Sequence, residues 1–200
     1  MPAQLFAAAG EPRDRAVISL DQKGLSPEQL AEQCQAGCRE AFALLLEQYE
    51  KRIFNYLYQM TRNCHDAEDL TQETFLKAYR GIHRFDATNS FTAWLFTIAK
   101  RTAINHFRSA KRGENREVEP EVDHEDPSRQ LERDEAANSL WQLAKTLKAS
   151  QYDALWLRYG EDLSIAETAR VMNTNPLRVR VLLHRARANL AKRLRRDKAN

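Results

Sequence analysis

Four arginines lie within ten residues near the end of this 200-residue chain, and no acidic residue separates them. They are Arg178, Arg180, Arg185 and Arg187, in the stretch MNTNPLRVRVLLHRAR at residues 172–187. A guanidinium group binds guanine O6 and N7, or a phosphate, through two hydrogen bonds. A helix face that is only solvated usually mixes acids with bases, so this composition predicts a nucleic-acid contact.

The apolar residues between these arginines fall on one stripe of a helix with about 100° per residue. The stripe comprises Val179, Leu182, Leu183, Ala186, Leu190 and Leu194. The opposite side carries Arg178, Arg180, Val181, His184 and Arg185. We predict that the stripe docks the helix on its domain. The other side then enters a DNA major groove, where Val181 can contact a thymine methyl group.

The residues before this helix have the parts of a helix-turn-helix. Ser164 and Glu167 form a capping box at the start of one helix, and Pro176 opens the next. The small Ala169 suits a close helix crossing, and Asn173 tolerates the left-handed turn between the helices. An ordinary helical hairpin in a core is the alternative, but it does not require the arginines.

A second basic helix is predicted in SFTAWLFTIAKRTAINHFRSAKR, residues 90–112. Its aromatics and cations suit unpaired bases, because rings stack on bases and cations hold phosphates. These residues are Trp94, Phe96 and Phe107, among Lys100, Arg101, Asn105 and Arg108. Trp94 and Ile98 are four residues apart and are better explained as core. The polar loop before the helix, Asp86 to Ser90, could receive an extruded base.

The helix predicted at residues 65–82 has two different faces. Asp69, Gln72, Glu73 and Leu76 recur at the spacing of one face. The opposite face is apolar and comprises Ala67, Phe75, Ala78 and Ile82. A leucine among polar residues indicates a surface for a partner protein, and a solvated face with one stray leucine is the alternative.

The three cysteines are Cys34, Cys38 and Cys64. An odd number favours a reducing compartment, and we expect buried or half-buried thiols. A zinc site completed by His65 is a less favoured alternative. We find no general base beside the thiols, no phosphate-binding loop and no carboxylate pair, so we predict no catalytic residue, metal or cofactor.

Apolar residues recur at helical spacing along most of the chain, and strand signals are scarce. The predicted fold is all-α, with two small helical domains at residues 25–112 and 136–200, the second containing the helix-turn-helix. Residues 1–24 are predicted to be a tail. Residues 113–135 hold ten acids and three bases and are predicted to be a flexible acidic linker. No apolar run of about 18 residues occurs, so no membrane insertion is expected.

These motifs together resemble a bacterial sigma factor of the extracytoplasmic-function group, group 4 of the sigma-70 family. The matching stretches are AFALLLEQY, DAEDLTQETFLKAYRGIHRF, FTAWLFTIAKRTAINHFR and LSIAETARVM followed by VRVLLHRAR. Their order and spacing also agree, over about residues 27–112 and 138–195. The resemblance implies that residues 25–112 are sigma region 2 and residues 136–200 are sigma region 4.

The resemblance also implies a function. Such a cytoplasmic protein binds the β′ coiled coil and β flap of core RNA polymerase and directs initiation at specific promoters, often in a stress or envelope response. An anti-sigma factor commonly holds it inactive. Polymerase performs the chemistry, so the chain is not expected to be an enzyme.

The family pattern assigns three sets of site residues. Asp69, Gln72, Glu73 and Leu76 would bind core polymerase. The melted −10 element would be bound by Asp86, Ala87, Thr88, Asn89, Ser90, Arg101, Asn105 and Arg108. The −35 duplex would be bound by Arg178, Arg180, Val181, His184 and Arg185. The chain departs from the family at Arg101, where Asn is usual, and at Arg180-Val181-Leu182, where Lys/Arg-Ser-Arg is frequent. Its promoter preference is therefore expected to differ.

Two other classes of protein also agree with parts of the sequence. A stand-alone helix-turn-helix regulator would bind duplex half-sites as a dimer, but it leaves the face at residues 69–76 unexplained. A thiol-dependent or zinc-dependent sensor or enzyme would need its cysteines, so serine substitutions would abolish its activity.

Overall fold

The computed structural model describes residues 24–112 and 135–197 of the chain. Within these two ranges every regular element is helical, as the apolar periodicity predicts. The α-helices are α1 (Pro27–Gln35), α2 (Arg39–Thr61), α3 (Cys64–Gly81), α4 (Phe91–Arg112), α5 (Glu135–Ala144), α6 (Ala149–Leu155), α7 (Ile165–Val171) and α8 (Pro176–Asp197). The predicted tail and acidic linker lie outside the described residues, except for Gly24 and Glu135 at their ends.

Helices α1 to α4 form the first domain around the long helix α2. The core of this domain is apolar and aromatic, and its largest side chains come from α2 and α4. Tyr49 meets Phe91 edge-to-face with ring centroids 5.5 Å apart, and Tyr56 meets Phe96 in the same way at 5.2 Å. These pairs fix α2 against α4 because edge-to-face rings combine large buried area with a preferred geometry.

Local signals set the ends of the first helices. Ser26 and Gln29 form a capping box at the start of α1, with Pro27 at its first position. Gly37, with a φ of +97°, follows the end of α1 in a conformation that glycine adopts without strain. The side chain of Asn63 accepts from the Asp66 N–H at 2.9 Å and caps α3, which was not predicted.

Helices α5 to α8 form the second domain, whose core is the predicted apolar stripe of α8. Val179, Leu183, Ala186 and Leu190 are buried, whereas Leu194 is 40% exposed. The stripe therefore packs only over its first three turns. A π-helical turn, Trp156–Gly160, follows directly after α6. There the Glu161 N–H donates to the Trp156 carbonyl, five residues back.

The helix-turn-helix is formed by α7 and α8. The predicted capping box is present: the Ser164 hydroxyl accepts from the Glu167 N–H at 3.2 Å, and the Glu167 carboxylate accepts from the Ser164 N–H at 2.8 Å. Asn173 has a φ of +50°, so the predicted left-handed turn is confirmed. Ala169 is buried in the second domain's core, as its small size at the crossing predicts.

We expect Ser164→Ala to lower the free energy of unfolding by about 1 kcal/mol, because α7 then loses a hydrogen bond to its first-turn N–H groups. Urea denaturation of the full chain, followed by circular dichroism, measures this change. Ser164→Thr is the matched control, since threonine keeps the capping oxygen and should stay close to the wild type. An unchanged unfolding midpoint in Ser164→Ala would show that the cap does not stabilise this helix.

Candidate nucleic-acid interface

The predicted reading face of α8 is open to solvent. All five residues of this face are exposed: Arg178, Arg180, Val181, His184 and Arg185. Val181 is 41% exposed although its side chain is apolar. The helix is held in place from the other side by its buried stripe. Its first turn is also fixed, because the Asn175 side chain accepts from the Arg178 N–H at 2.8 Å. The result is a rigid helix that presents three arginines to a groove.

Only part of the basic face predicted for α4 is open to solvent. Arg101, Asn105 and Arg108 are exposed and accessible to a nucleic-acid strand. Lys100 instead turns inward, and its ammonium group pairs with the carboxylate of Asp153 in the second domain. Trp94 is half-buried against Phe85, so its predicted core role is supported.

The loop at residues 86–90 is organised by its own side chains. Asp86 accepts from the N–H of Thr88 at 3.0 Å, from its hydroxyl at 2.7 Å and from the Asn89 amide at 3.0 Å. The bonds from Thr88 lower the pKa of the Asp86 carboxyl, so the loop keeps its negative charge to a more acidic pH than an ordinary aspartate would. Asp86 and Thr88 are exposed, whereas Ala87, Asn89 and Ser90 are half-buried.

Helix α1 secures both ends of this loop, a role that the sequence did not suggest. The Gln35 amide donates to the carbonyls of Ile82 and Phe85, at 2.9 and 2.6 Å. At the other end, the Glu28 carboxylate accepts from the Phe91 N–H at 2.9 Å, at the first residue of α4. The loop is therefore closed by contacts from a helix more than 45 residues earlier in the chain.

The predicted partner surface on α3 has the expected division of faces. Asp69, Gln72 and Glu73 are exposed and Leu76 is half-buried. The opposite face, Ala67, Phe75, Ala78 and Ile82, is buried. Glu73 and Lys77 form an ion pair at 2.6 Å on the helix surface. We refer to Asp69, Gln72, Glu73 and Leu76 as the α3 face.

The cysteines do not form a reactive centre in the described parts of the chain. All three are half-buried, and none is joined to another in a disulfide. Burial raises the pKa of the Cys34 thiol to about 12, so it stays protonated and weakly nucleophilic at neutral pH. Among residues 24–112 and 135–197, no three His, Cys, Asp or Glu side chains are grouped so as to hold a metal ion.

We expect the triple variant Cys34→Ser, Cys38→Ser, Cys64→Ser to keep transcriptional activity within about twofold of the wild type. Serine can replace the Cys38 sulfur, which accepts from the Ala41 N–H at the start of α2. The activity is measured beside the wild type in the same reducing buffer. A loss of more than about tenfold, with the fold intact, would support the thiol-dependent sensor instead.

A helix-turn-helix with an exposed arginine face, joined to a helical domain with a basic helix and a polar loop, defines a DNA-binding transcription protein. Residues 45–113 match the Sigma-70 region 2 family and residues 137–190 match the Sigma-70 region 4 family. The chain belongs to the sigma-70 family, within its extracytoplasmic-function group. It is therefore a sigma factor, a protein that directs transcription.

Similar proteins agree with this assignment. The chain is 36% identical to the extracytoplasmic-function sigma factor BldN of Streptomyces coelicolor, over 84% of this chain and 66% of that protein. It is 32% identical to the sigma factor YlaC of Bacillus subtilis, over 80% of this chain and 95% of YlaC. It is also 33% identical to sigma-H of Pseudomonas aeruginosa, over 84% of this chain and 93% of sigma-H.

Two solved structures share the fold. CnrH, in complex with the cytosolic domain of CnrY, superposes with a TM-score of 0.61 at 22% identity, over 86% of this chain and 98% of CnrH. RpoE, in complex with the anti-sigma factor NepR from Bartonella quintana, has a TM-score of 0.61 at 21% identity, over 77% of this chain and 96% of RpoE.

Across residues 24–112 and 135–197, the described helices include none with the length and apolarity needed to cross a membrane.

Proposed function

We propose that this sigma factor divides promoter recognition between its two domains. The first domain, residues 25–112, binds core RNA polymerase through the α3 face and captures the melted −10 element. The second domain, residues 136–200, reads the −35 element as duplex and also binds the β flap. The observation that carries this proposal is the exposed arginine face of α8 on a helix-turn-helix whose other side is buried.

The two sets of DNA contacts suit different states of the DNA. Duplex readout needs a rigid helix in the major groove, and α8 supplies Arg178, Arg180, Val181, His184 and Arg185 for that purpose. Strand opening needs a site that holds extruded bases and offsets their lost stacking. The loop residues Asp86, Ala87, Thr88, Asn89 and Ser90 would form that site, with Arg101, Asn105 and Arg108 of α4 along the strand.

The α3 face supports the polymerase contact. It combines exposed polar groups with a half-buried leucine, which is the composition of a small interface centre with a polar rim. Polymerase performs the phosphoryl transfer, so no group of the sigma factor needs to act on a substrate. We place the protein in the cytoplasm, where polymerase and promoter are found.

Control by a partner is also proposed. RpoE of Bartonella quintana was solved with an anti-sigma factor, and its fold is shared by this chain. An anti-sigma factor would release this protein in a stress or envelope response. The acidic segment at residues 113–135 would thread polymerase channels otherwise used by nucleic acid, because its net negative charge resembles that of a nucleic-acid strand.

In-vitro transcription with purified bacterial core polymerase tests the proposed function. We expect promoter-specific initiation when the chain and core are both present and none when either is omitted. The same promoter duplex is offered to the chain alone in a binding assay. Tight duplex binding without core, together with no specific initiation with a cognate core, would favour the stand-alone helix-turn-helix regulator.

A further inference from the structure

A cavity of about 660 Å³ lies beside the turn of the helix-turn-helix. One wall comes from α2 and α4 of the first domain, and the other from the second domain, including Asn173 of the turn. Polar contacts join the two sides, since Arg52 donates to Glu161 and Tyr56 donates to Asp153, each at 2.8 Å. Cavities of about 300–1,000 Å³ have the size that encloses a small organic molecule.

The lining of this cavity is positively charged. It carries four cations, Arg62, Lys100, Lys145 and Arg178, and Asp153 is the one acid among the described residues of the lining. Asp153 is already paired with the ammonium group of Lys100. The cavity therefore keeps an excess of positive charge after this pairing, which favours an anionic ligand because a cleft lined by one sign of charge concentrates the opposite ion.

Arg62 reaches the cavity from an unusual backbone conformation. It ends α2 with a φ of 57°, in the left-handed region where Gly or Asn is the usual residue. The chain thus has a cation at a position where backbone preference favours an uncharged residue. Backbone strain of this kind is concentrated at ligand sites, where the side chain has a use that offsets its cost.

Other parts of the lining suit a flat ring with polar edges. Phe107, which is 36% exposed, supplies an aromatic face, and Met60 and Leu182 add apolar surface. Gln59 also lines the cavity, and its buried side-chain oxygen has no donor within hydrogen-bonding distance among the described residues. The amide can therefore turn toward a ligand without breaking a bond at that oxygen. A glutamine amide pairs with adenine through two hydrogen bonds.

These features together favour one class of ligand. Inorganic phosphate would leave the aromatic and apolar surface unused, and a fatty acid would bring one negative charge and no hydrogen-bond donor for Gln59. A metal ion would need several oxygen ligands, whereas the lining has one carboxylate, which is already paired. An adenine nucleoside diphosphate brings a ring that stacks, an edge that pairs with an amide and several negative charges.

Arg178 belongs both to this cavity and to the exposed face of α8 that we assign to the −35 element. A guanidinium group that is bound to a phosphate of a ligand has its donors occupied. The same group cannot then grip a guanine in a major groove. A ligand in the cavity would therefore compete with the −35 duplex.

We propose that this cavity is a regulatory site for an adenine nucleoside diphosphate. The phosphates bind Arg62 and Arg178, and the ring lies against Phe107 with its edge toward Gln59. The bound nucleotide withholds Arg178 from DNA, so promoter recognition falls as the nucleotide concentration rises. Binding in the cavity is independent of the proposed function, and only the competition with DNA rests on it.

Binding is tested by isothermal titration calorimetry of the free full-length chain with ADP. We expect a dissociation constant on the order of 10 µM, from the efficiency typical of ligands of this size. Adenosine and inorganic pyrophosphate should each bind at least about tenfold more weakly, because each lacks one half of the recognised groups. Pyrophosphate binding as tight as that of ADP would reduce the cavity to a nonspecific anion site and overturn the proposal.

Arg62→Asn is the decisive variant because it cannot fail through misfolding of the α2 end. Asparagine tolerates the left-handed backbone better than arginine, so thermal stability should be kept. ADP binding should weaken at least about tenfold with the loss of the cation. Lys51→Gln is the matched control: it removes an exposed cation of the same helix outside the cavity, and ADP should bind it as tightly as the parent protein.

Competition is measured by fluorescence anisotropy of a labelled −35 duplex with the same chain. ADP at ten times its dissociation constant should weaken DNA binding about tenfold in the parent protein and about twofold or less in Arg62→Asn. Pyrophosphate at the same concentration controls for ionic strength and should have a much smaller effect. Arg62 is outside the assigned DNA faces, so Arg62→Asn should bind DNA normally without ADP.

The outcomes separate the cavity site from the proposed function. No binding of ADP up to about 1 mM, or equal binding by Arg62→Asn and the parent, would overturn the site. ADP binding that leaves the affinity for DNA unchanged would overturn its regulatory role. A parent protein that binds ADP through Arg62 but neither binds −35 DNA nor initiates transcription with core would overturn the proposed function, and the nucleotide site would stand.

Discussion

Replacing Glu73 and Leu76 with arginine should reduce promoter-specific initiation by purified core polymerase at least about 100-fold, or about 2.7 kcal/mol. Both changes place positive charge on the α3 face, where Asp69 and Glu73 now supply acid groups and Leu76 supplies apolar surface. A handful of residues near the centre of an interface typically dominate binding, and truncating one of them costs about 2 kcal/mol or more. The loss should appear both in run-off transcription and in co-purification with core.

A matched control makes the same charge change elsewhere on the first domain. Ala43→Arg with Glu47→Arg also converts one apolar residue and one glutamate to arginine, at two exposed positions of α2. This pair should keep full activity. Equal losses in both variants would indicate a general effect of added charge, and no loss in either would remove the α3 face as the polymerase contact.

The double variant Arg178→Ala with Arg185→Ala should weaken binding of the holoenzyme to a promoter duplex at least about 100-fold, since a bidentate arginine contact with a base contributes about 1–3 kcal/mol. Alanine has the highest helix propensity and the buried stripe of α8 is untouched, so the helix should remain. The measurement is a titration by fluorescence anisotropy at fixed salt, on a promoter used by the wild type.

A control is needed to separate the general effect of removing positive charge from the effect of removing these two particular arginines. Arg187→Ala with Lys148→Ala removes two exposed cations from the same domain but outside the predicted reading face. Its affinity should fall by much less, through weaker long-range attraction only. If this control lost as much affinity as the Arg178 and Arg185 variant, the contact would be nonspecific and the face would not read sequence.

Local chemistry explains what could be predicted. The capping box at Ser164, the left-handed turn at Asn173 and the opening of α8 at Pro176 each depend on residues within a few positions, and all three are present. The apolar stripe of α8 was predictable because periodicity determines which side of a helix is buried. The confirmed family and fold follow from many such local signals in the right order.

Long-range contacts explain what could not be predicted. Asp153 and Glu161 look like solvated acids in the sequence, because their partners Tyr56 and Arg52 are 97 and 109 residues away. The π-helical turn at Trp156–Gly160 packs Trp156 against Trp141, a tertiary contact that no local pattern encodes.

The bonds from α1 to the 86–90 loop have a consequence for how the domain can be transplanted. The family match begins at residue 45, whereas Glu28 and Gln35, which hold the two ends of the loop, precede it. A chimera that carries only the matched segment therefore leaves both restraints behind. In the chimera, the loop would lose conformational freedom each time it binds an unpaired base. In the intact chain, the loop has already lost this freedom on folding, so binding is less costly.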